Sequence, residues 1–264
     1  MSFKKQLVLL TKMDPELLEF RLPANKKEND KGPKFFNMFY KNKLINIQLP
    51  KLIAPFGISG YTDKVSGETS YSINLELPEN TKAYNILKEI QAKALGFVVT
   101  NSEYFYKNKK DRENVTAFGK EFIKENEDSE YPGSFSIKMK FDKNNLDNFD
   151  AKADIITTVE DEEPLVEENQ ILNVDTALEY ITKRCEVQAV INAYGYQVDT
   201  KYGLSLKAEK LRVFTTGNNA DTFLEESENE IEVESENEVE VEVPVLIETS
   251  AIKKSRKKKE IEVS

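Results

Sequence analysis

Residues 103–112 read EYFYKNKKDR, so Tyr104, Phe105 and Tyr106 stand side by side and Lys107, Lys109, Lys110 and Arg112 follow at once. Unpaired nucleic acid offers base faces and phosphates. Aromatic rings stack on the first, at roughly 1–3 kcal/mol per base, and cations track the second. The segment supplies both kinds of group. Its blander reading is a strand entering a charged loop, with Tyr104 or Phe105 in the core. A second segment, GPKFFNMFYK (32–41), repeats the pattern, with Lys34, Phe36 and Tyr40 as its candidate contacts beside Phe35, Phe39 and Lys41. Its alternative is an N-terminal strand packed on the body. A third set comes from 187–214, where Tyr194, Tyr196 and Tyr202 are expected to share an exposed face with Lys207, Lys210 and Arg212.

Composition narrows the alternatives. The chain has 264 residues, no histidine, no tryptophan and one cysteine, Cys185. Histidine is the commonest general base and metal ligand, and one cysteine cannot build a zinc site. No phosphate-binding glycine loop of the GxxxxGK[ST] or GxGxxG type occurs. This composition argues against most enzyme classes, though it excludes none based on carboxylates alone; no enzyme, metal or cofactor is the expectation. No apolar run of about eighteen residues is present, so no membrane span is expected. The LVLL patch near the start is too short for a secretory core. The lone cysteine fits an intracellular protein.

Charge is unevenly placed. The formal net charge is -10. Residues 223–264 hold thirteen acidic and six basic side chains, which leaves the rest at -3. Residues 1–113 hold nineteen basic and thirteen acidic side chains, so this half is positive. The acidity is mostly a property of the C-terminal tail, whose like charge and low hydrophobicity predict disorder. A basic run, KKSRKKK (253–259), follows it.

These side chains need a scaffold, and period-two alternation predicts strands over 43–49, 70–77 and 134–141. Each has one apolar face, and in the last Lys138 and Lys140 point outward. Residues 187–198 and 204–214 read as a hairpin joined through DTKYG, with a bulge near Glu209 and Lys210. Helices are predicted over 79–96, stopped by Gly96, and over 175–185, capped by Asp175 and burying Leu178, Ile181 and Cys185. A short helical turn is expected at 118–124. The fold expected is mainly β: a five-stranded, closed or half-closed barrel with inserted helices. Its parts are an N-terminal extension (1–30), a barrel domain (31–215) and a disordered acidic tail (216–264).

Three stretches, LPKLIAPFGISGY (49–61), YPGSFSIKMKF (131–141) and GYQVDTKYGLSLKAEKLRVF (195–214), resemble the single-stranded DNA-binding proteins of nucleocytoplasmic large DNA viruses. These are similar in turn to the phage replication-type single-stranded DNA-binding proteins. The likeness covers most of 30–215. It implies an OB-fold that coats single-stranded DNA in viral replication, recombination and repair, in a host cytoplasmic factory or the host nucleus. It implies an acidic tail that contacts replication proteins such as a polymerase or a primase-helicase and weakens DNA binding, with no catalysis and no cofactor; a homo-oligomer is compatible with the sequence. The chain departs from the pattern at Leu206, where relatives often carry a large aromatic, and in its basic terminal run. Two rival readings stand beside this one: a virion or scaffold assembly protein, and an acidic-tailed chaperone of basic proteins.

Overall fold

A computed structural model describes residues 5–24, 32–125, 132–158 and 163–216. They fall within one compact unit, Met1–Thr222. The expectations placed on the acidic tail and on KKSRKKK lie outside the described residues.

The described chain is mainly β, with a few helices inserted, as expected. Its strands are β1 (Gln6–Leu9), β2 (Leu18–Arg21), β3 (Lys34–Tyr40), β4 (Lys43–Ala54), β5 (Ile58–Thr62), β6 (Thr69–Leu77), β7 (Gly119–Lys120), β8 (Ile123–Lys124), β9 (Gly133–Met139), β10 (Phe141–Asp142), β11 (Asn145–Thr158), β12 (Leu165–Asn173), β13 (Cys185–Val198) and β14 (Lys201–Thr216). The helices are α1 (Lys82–Thr100), α2 (Ser102–Tyr106), α3 (Arg112–Phe118) and α4 (Val174–Tyr180). All fourteen strands belong to one sheet, so the five read from sequence are a subset. The main path of pairings runs β1-β4-β3-β13-β14-β9-β6-β5, and β11 adds to β14. Among the described residues this path does not close into a ring.

Long antiparallel ladders give the sheet its register. β13 pairs with β14 from Glu186↔Phe214 to Val198↔Lys201, and β6 pairs with β9 around Ile73↔Ile137. Alternation decides which side of each strand is buried. Ile45, Ile47 and Leu49 of β4, Ile73, Leu75 and Leu77 of β6, and Phe135, Ile137 and Met139 of β9 all enter the core. Helix α1 adds Ala83, Ile86, Leu87, Ile90, Ala94 and Val98 to the same core.

Several boundaries differ from the sequence expectations. Helix α1 runs past Gly96 to Thr100. Val98 continues the buried stripe, and burying it outweighs the ~1 kcal/mol cost of a helical glycine. Helix α4 is capped by Asn173, in a reciprocal box with Thr176, and not by Asp175. It ends at Tyr180, leaving Leu178 exposed, and Cys185 opens β13. The turn of helix expected at 118–124 lies earlier, at α3, and two short strands follow it. The connection between β13 and β14 is two residues long, Asp199 and Thr200. Asp199 takes φ 53°, the left-handed conformation that tight hairpins need. Gly203 therefore lies within β14, where a Cβ would sit 3.0 Å from the Tyr196 hydroxyl. The bulge falls where alternation slips: Val190 pairs with Lys210 and Ile191 with Ala208, so Glu209 is the extra residue.

Candidate nucleic-acid interface

The face of the sheet opposite the core presents every second residue of its strands. On β13 these include Tyr194 and Tyr196. Cross-strand register puts Asn37 beside Tyr194 and Phe35 beside Tyr196, so β3 adds its own outward ring. Phe35 is 45% exposed, and its ring lies 6.0 Å from that of Tyr194, edge to face. On the other side β9 pairs with β14 at Lys207↔Lys138. Lys138 and Lys140 are exposed, as strand parity predicts. The Lys140 ammonium lies 3.2 Å from the Tyr194 hydroxyl and 5.5 Å from its ring centre. The Lys138 ammonium lies 5.9 Å from the Tyr196 ring centre. Exposed Phe35 and half-buried Tyr194 and Tyr196 thus form an outward aromatic patch bordered by two ammonium groups. At a neighbouring position Arg21 of β2 sits 4.6 Å over the Phe39 ring.

Gly195, between the two tyrosines, makes this arrangement fit. It faces the core, and the Phe36 ring lies directly across it: a Cβ there would meet Phe36 Cζ at 1.9 Å. A strand glycine of this kind marks a close approach. Burial raises the Tyr194 phenol, but the Ser205 hydroxyl opposite and the Lys140 and Lys138 ammoniums outweigh it, so its pKa lies below the usual value. Burial raises the Tyr196 phenol.

The candidates from 103–112 divide in two. The aromatic part is a one-turn helix whose rings face inward. Phe105 is 2% exposed and packs on Phe36 at 5.5 Å and Phe97 at 6.3 Å. Tyr104 is half-buried against Phe105. Tyr106 is half-buried against Phe118, and burial pushes its phenol up to about 12. The core claims Phe105 because α2 must hold the end of α1 against the sheet. It is not placed to stack on a base. The cationic part is different. Lys107 adopts φ 65° to terminate α2, and its amide donates to the Glu103 carbonyl at 2.8 Å. Lys107, Lys109 and Arg112 are exposed and Lys110 is half-buried. None of the four has an ion pair with a described carboxylate. Lys107 and Lys110 line a pocket of about 320 Å³ with Gln197, Asp199 and Thr200. The loop therefore sits beside the β13–β14 turn, just beyond Tyr196.

The candidates from 32–41 are mostly structural. Phe36 is 0% exposed and Tyr40 is buried, its hydroxyl accepting from the Asp14 amide at 3.3 Å. Both belong to the inward parity of β3, so neither presents a ring to solvent. Lys34 is also buried. Its ammonium donates to the Tyr104 carbonyl and, at 3.2 Å, to the Phe105 carbonyl, and it lies 5.0 Å over the Tyr104 ring. It pins α2 to the sheet. Phe35, one residue away, is the exposed ring.

The third set shares a face, as expected, except for Tyr202. That residue pairs with Gln197 on the core side and is buried. Lys207 and Lys210 are three residues apart, an odd spacing that would put them on opposite faces of a regular strand. The extra residue at Glu209 brings both outward. Both are already engaged. Lys207 contacts Asp150, with Glu209 at 3.9 Å, and Lys210 lies 2.8 Å from Asp154. Arg212 is exposed, 3.9 Å from Asp154. Asp154 is buried and accepts from the Asn169 amide at 3.0 Å. Burial raises its carboxyl, and the bonds from Lys210 and Asn169 overcome this to hold it below the usual range. Leu206 is a core residue.

Composition alone does not single out Phe35, Lys138 and Lys140 as candidate contacts. The alternation of SFSIKMKF carried the signal for both lysines, and that of KFFNMFY for Phe35. Among the described residues no cluster of three or more potential metal ligands occurs, and no helix is long and apolar enough to cross a membrane.

No family model and no curated protein matches this chain. Among solved structures, it is similar to the single-stranded DNA-binding protein of bacteriophage Enc34 in complex with single-stranded DNA, at 17% identity over 73% of this chain and 93% of that one, with a TM-score of 0.38. It is also similar to the single-stranded DNA-binding protein encoded by bacteriophage T7, at 12% identity over 69% of this chain and 97% of that one, with a TM-score of 0.39.

Proposed function

We propose that this chain binds single-stranded DNA without sequence preference through the outward face of β3, β13, β14 and β9. One observation carries the reading: on the outward sheet face, exposed Phe35 and half-buried Tyr194 and Tyr196 form an aromatic patch with Lys138 and Lys140 at its border. Buried rings would argue only for packing, and scattered lysines only for solubility. Together on one sheet face they match the two chemistries of an unpaired strand. Bases stack on the rings, and the ammoniums displace counterions from phosphates. The loop of Lys107, Lys109, Lys110 and Arg112 extends the cationic track past the hairpin turn. The mechanism is passive: binding the unpaired form holds strands apart by mass action.

In this reading the chain acts in viral DNA replication, recombination and repair, and residues 216–264 engage replication proteins. The three stretches resembling the viral single-strand binders support that role. The test is fluorescence anisotropy of a labelled oligo-dT strand against duplex of equal length, with the full chain at two salt concentrations. Preferential, salt-sensitive binding of the single strand is expected. Equal binding to duplex, or none to either, would remove the reading.

A further inference from the structure

The Lys207–Asp150 contact points to an affinity-limiting residue on this face. Asp150 belongs to β11, and its amide donates to the Lys140 carbonyl at 2.7 Å. That bond clamps its backbone between the end of β9 and the middle of β14. Its carboxylate meets the Lys207 ammonium. The Lys207 side chain is 17% exposed and that of Asp150 is 48% exposed, so the anion lies on the solvent side of the pair. Lys207 is also the register partner of Lys138. A phosphate tracking the cations next to Tyr194 and Tyr196 therefore meets a carboxylate where the third ammonium should be.

Resting on the single-strand reading, we propose that Asp150 is an intramolecular stand-in for phosphate, which occupies Lys207 and holds strand affinity down. The neighbouring Asp154 differs in kind. It is buried and bonded to the Asn169 amide, so it ties β12 to β11 and β14. Asp150 accepts its cation at the surface, where an ion pair is weak enough for phosphate to displace. The chain thereby trades affinity for exchange: a strand binds Lys207 only by first separating it from Asp150. A coating protein that later processes must displace gains from such a limit.

Asp150→Asn in the full chain keeps the shape and the backbone hydrogen bond, and leaves Lys207 with only the longer Glu209 contact, at 3.9 Å. The readout is anisotropy with labelled oligo-dT across a salt series. The variant should bind about two- to fivefold tighter at low salt, the range an exposed pair allows. Its log–log salt slope should steepen by about 0.7, the increment for one additional phosphate contact on a single strand. Lys207→Gln added to Asp150→Asn should abolish both changes. Asp147→Asn is the control for net charge: that carboxylate is exposed on the same strand, and it makes no ion pair with a described residue. It should fall short of both changes. Unchanged or weaker binding by Asp150→Asn overturns the proposal, and so does a gain that survives Lys207→Gln. Those results leave wild-type binding intact, whereas absence of single-strand binding by the wild-type chain overturns the functional reading and this proposal together.

Discussion

Phe35 and Phe36 are adjacent in sequence and face opposite sides of the sheet, so replacing each with leucine separates binding from stability. Phe35 is 45% exposed and touches only the edge of the aromatic patch. Its loss removes one stacking ring, worth roughly 1–3 kcal/mol, and affinity for oligo-dT should fall about tenfold. Stability should move by no more than about 0.5 kcal/mol, as at most exposed sites. Phe36 is fully buried, with rings of Phe20, Phe97 and Phe105 at 5.4, 5.1 and 5.5 Å, and it covers Gly195. Leucine leaves part of that volume empty and loses the ring contacts. A cost of about 2 kcal/mol is expected. For a body of this size that lowers Tm by roughly 4–8 °C. The assays are thermal melts by circular dichroism and anisotropy at a temperature where both variants are folded. If Phe36→Leu cut affinity tenfold with an unchanged melt, while Phe35→Leu bound normally, the assignment of faces on β3 would be refuted.

Other perturbations test separate parts of the account. Replacing Lys138 and Lys140 together with glutamine should flatten the salt slope by about 1.4, at about 0.7 per phosphate contact; an unchanged slope would take β9 out of the interface. Gly195→Ala forces a Cβ against the Phe36 ring, and overpacking of this severity should cost about 3 kcal/mol in a urea titration. A variant with wild-type stability would show that Phe36 has room to move. With no histidine in the chain, affinity should hold between about pH 6 and 8. On the alkaline side the lowered Tyr194 phenol ionises earlier than an ordinary tyrosine, and a phenolate repels phosphate. Affinity should therefore decline with rising pH sooner in the wild type than in Tyr194→Phe, and coincident profiles would contradict that assignment.

Much of the fold was legible where alternation was clean. SYSINLEL became β6 and SFSIKM became β9, whereas Phe141 opens the separate strand β10, and the slip at Glu209 marked a real bulge. β11 also alternates, through Phe149, Ala151, Ala153 and Ile155, but two alanines make a faint apolar signal, and its partner β14 lies far away in sequence. Gly96 misled because a glycine stop is a local preference, and the stripe ending in Val98 is a tertiary demand. The site was legible as a chemistry more than as a location. Clustered rings in FFNMFY and EYFY suggested stacking, yet a cluster does not say which ring faces out. Strand parity answers that for Phe35 against Phe36. Within α2, facing is set by what α1 and β3 leave uncovered, and no short window of sequence contains that. The pairing of Lys207 and Lys210 with Asp150 and Asp154 depends on β11 lying beside β14, a contact across more than fifty residues.

Photo-crosslinking with an oligonucleotide carrying 5-iodouracil, followed by mass spectrometric mapping, addresses the proposed interface most directly. The account predicts adducts on Phe35, Tyr194 or Tyr196, lost when unlabelled single strand competes and retained against duplex. Adducts confined to other surfaces, with none on these three rings, would contradict it.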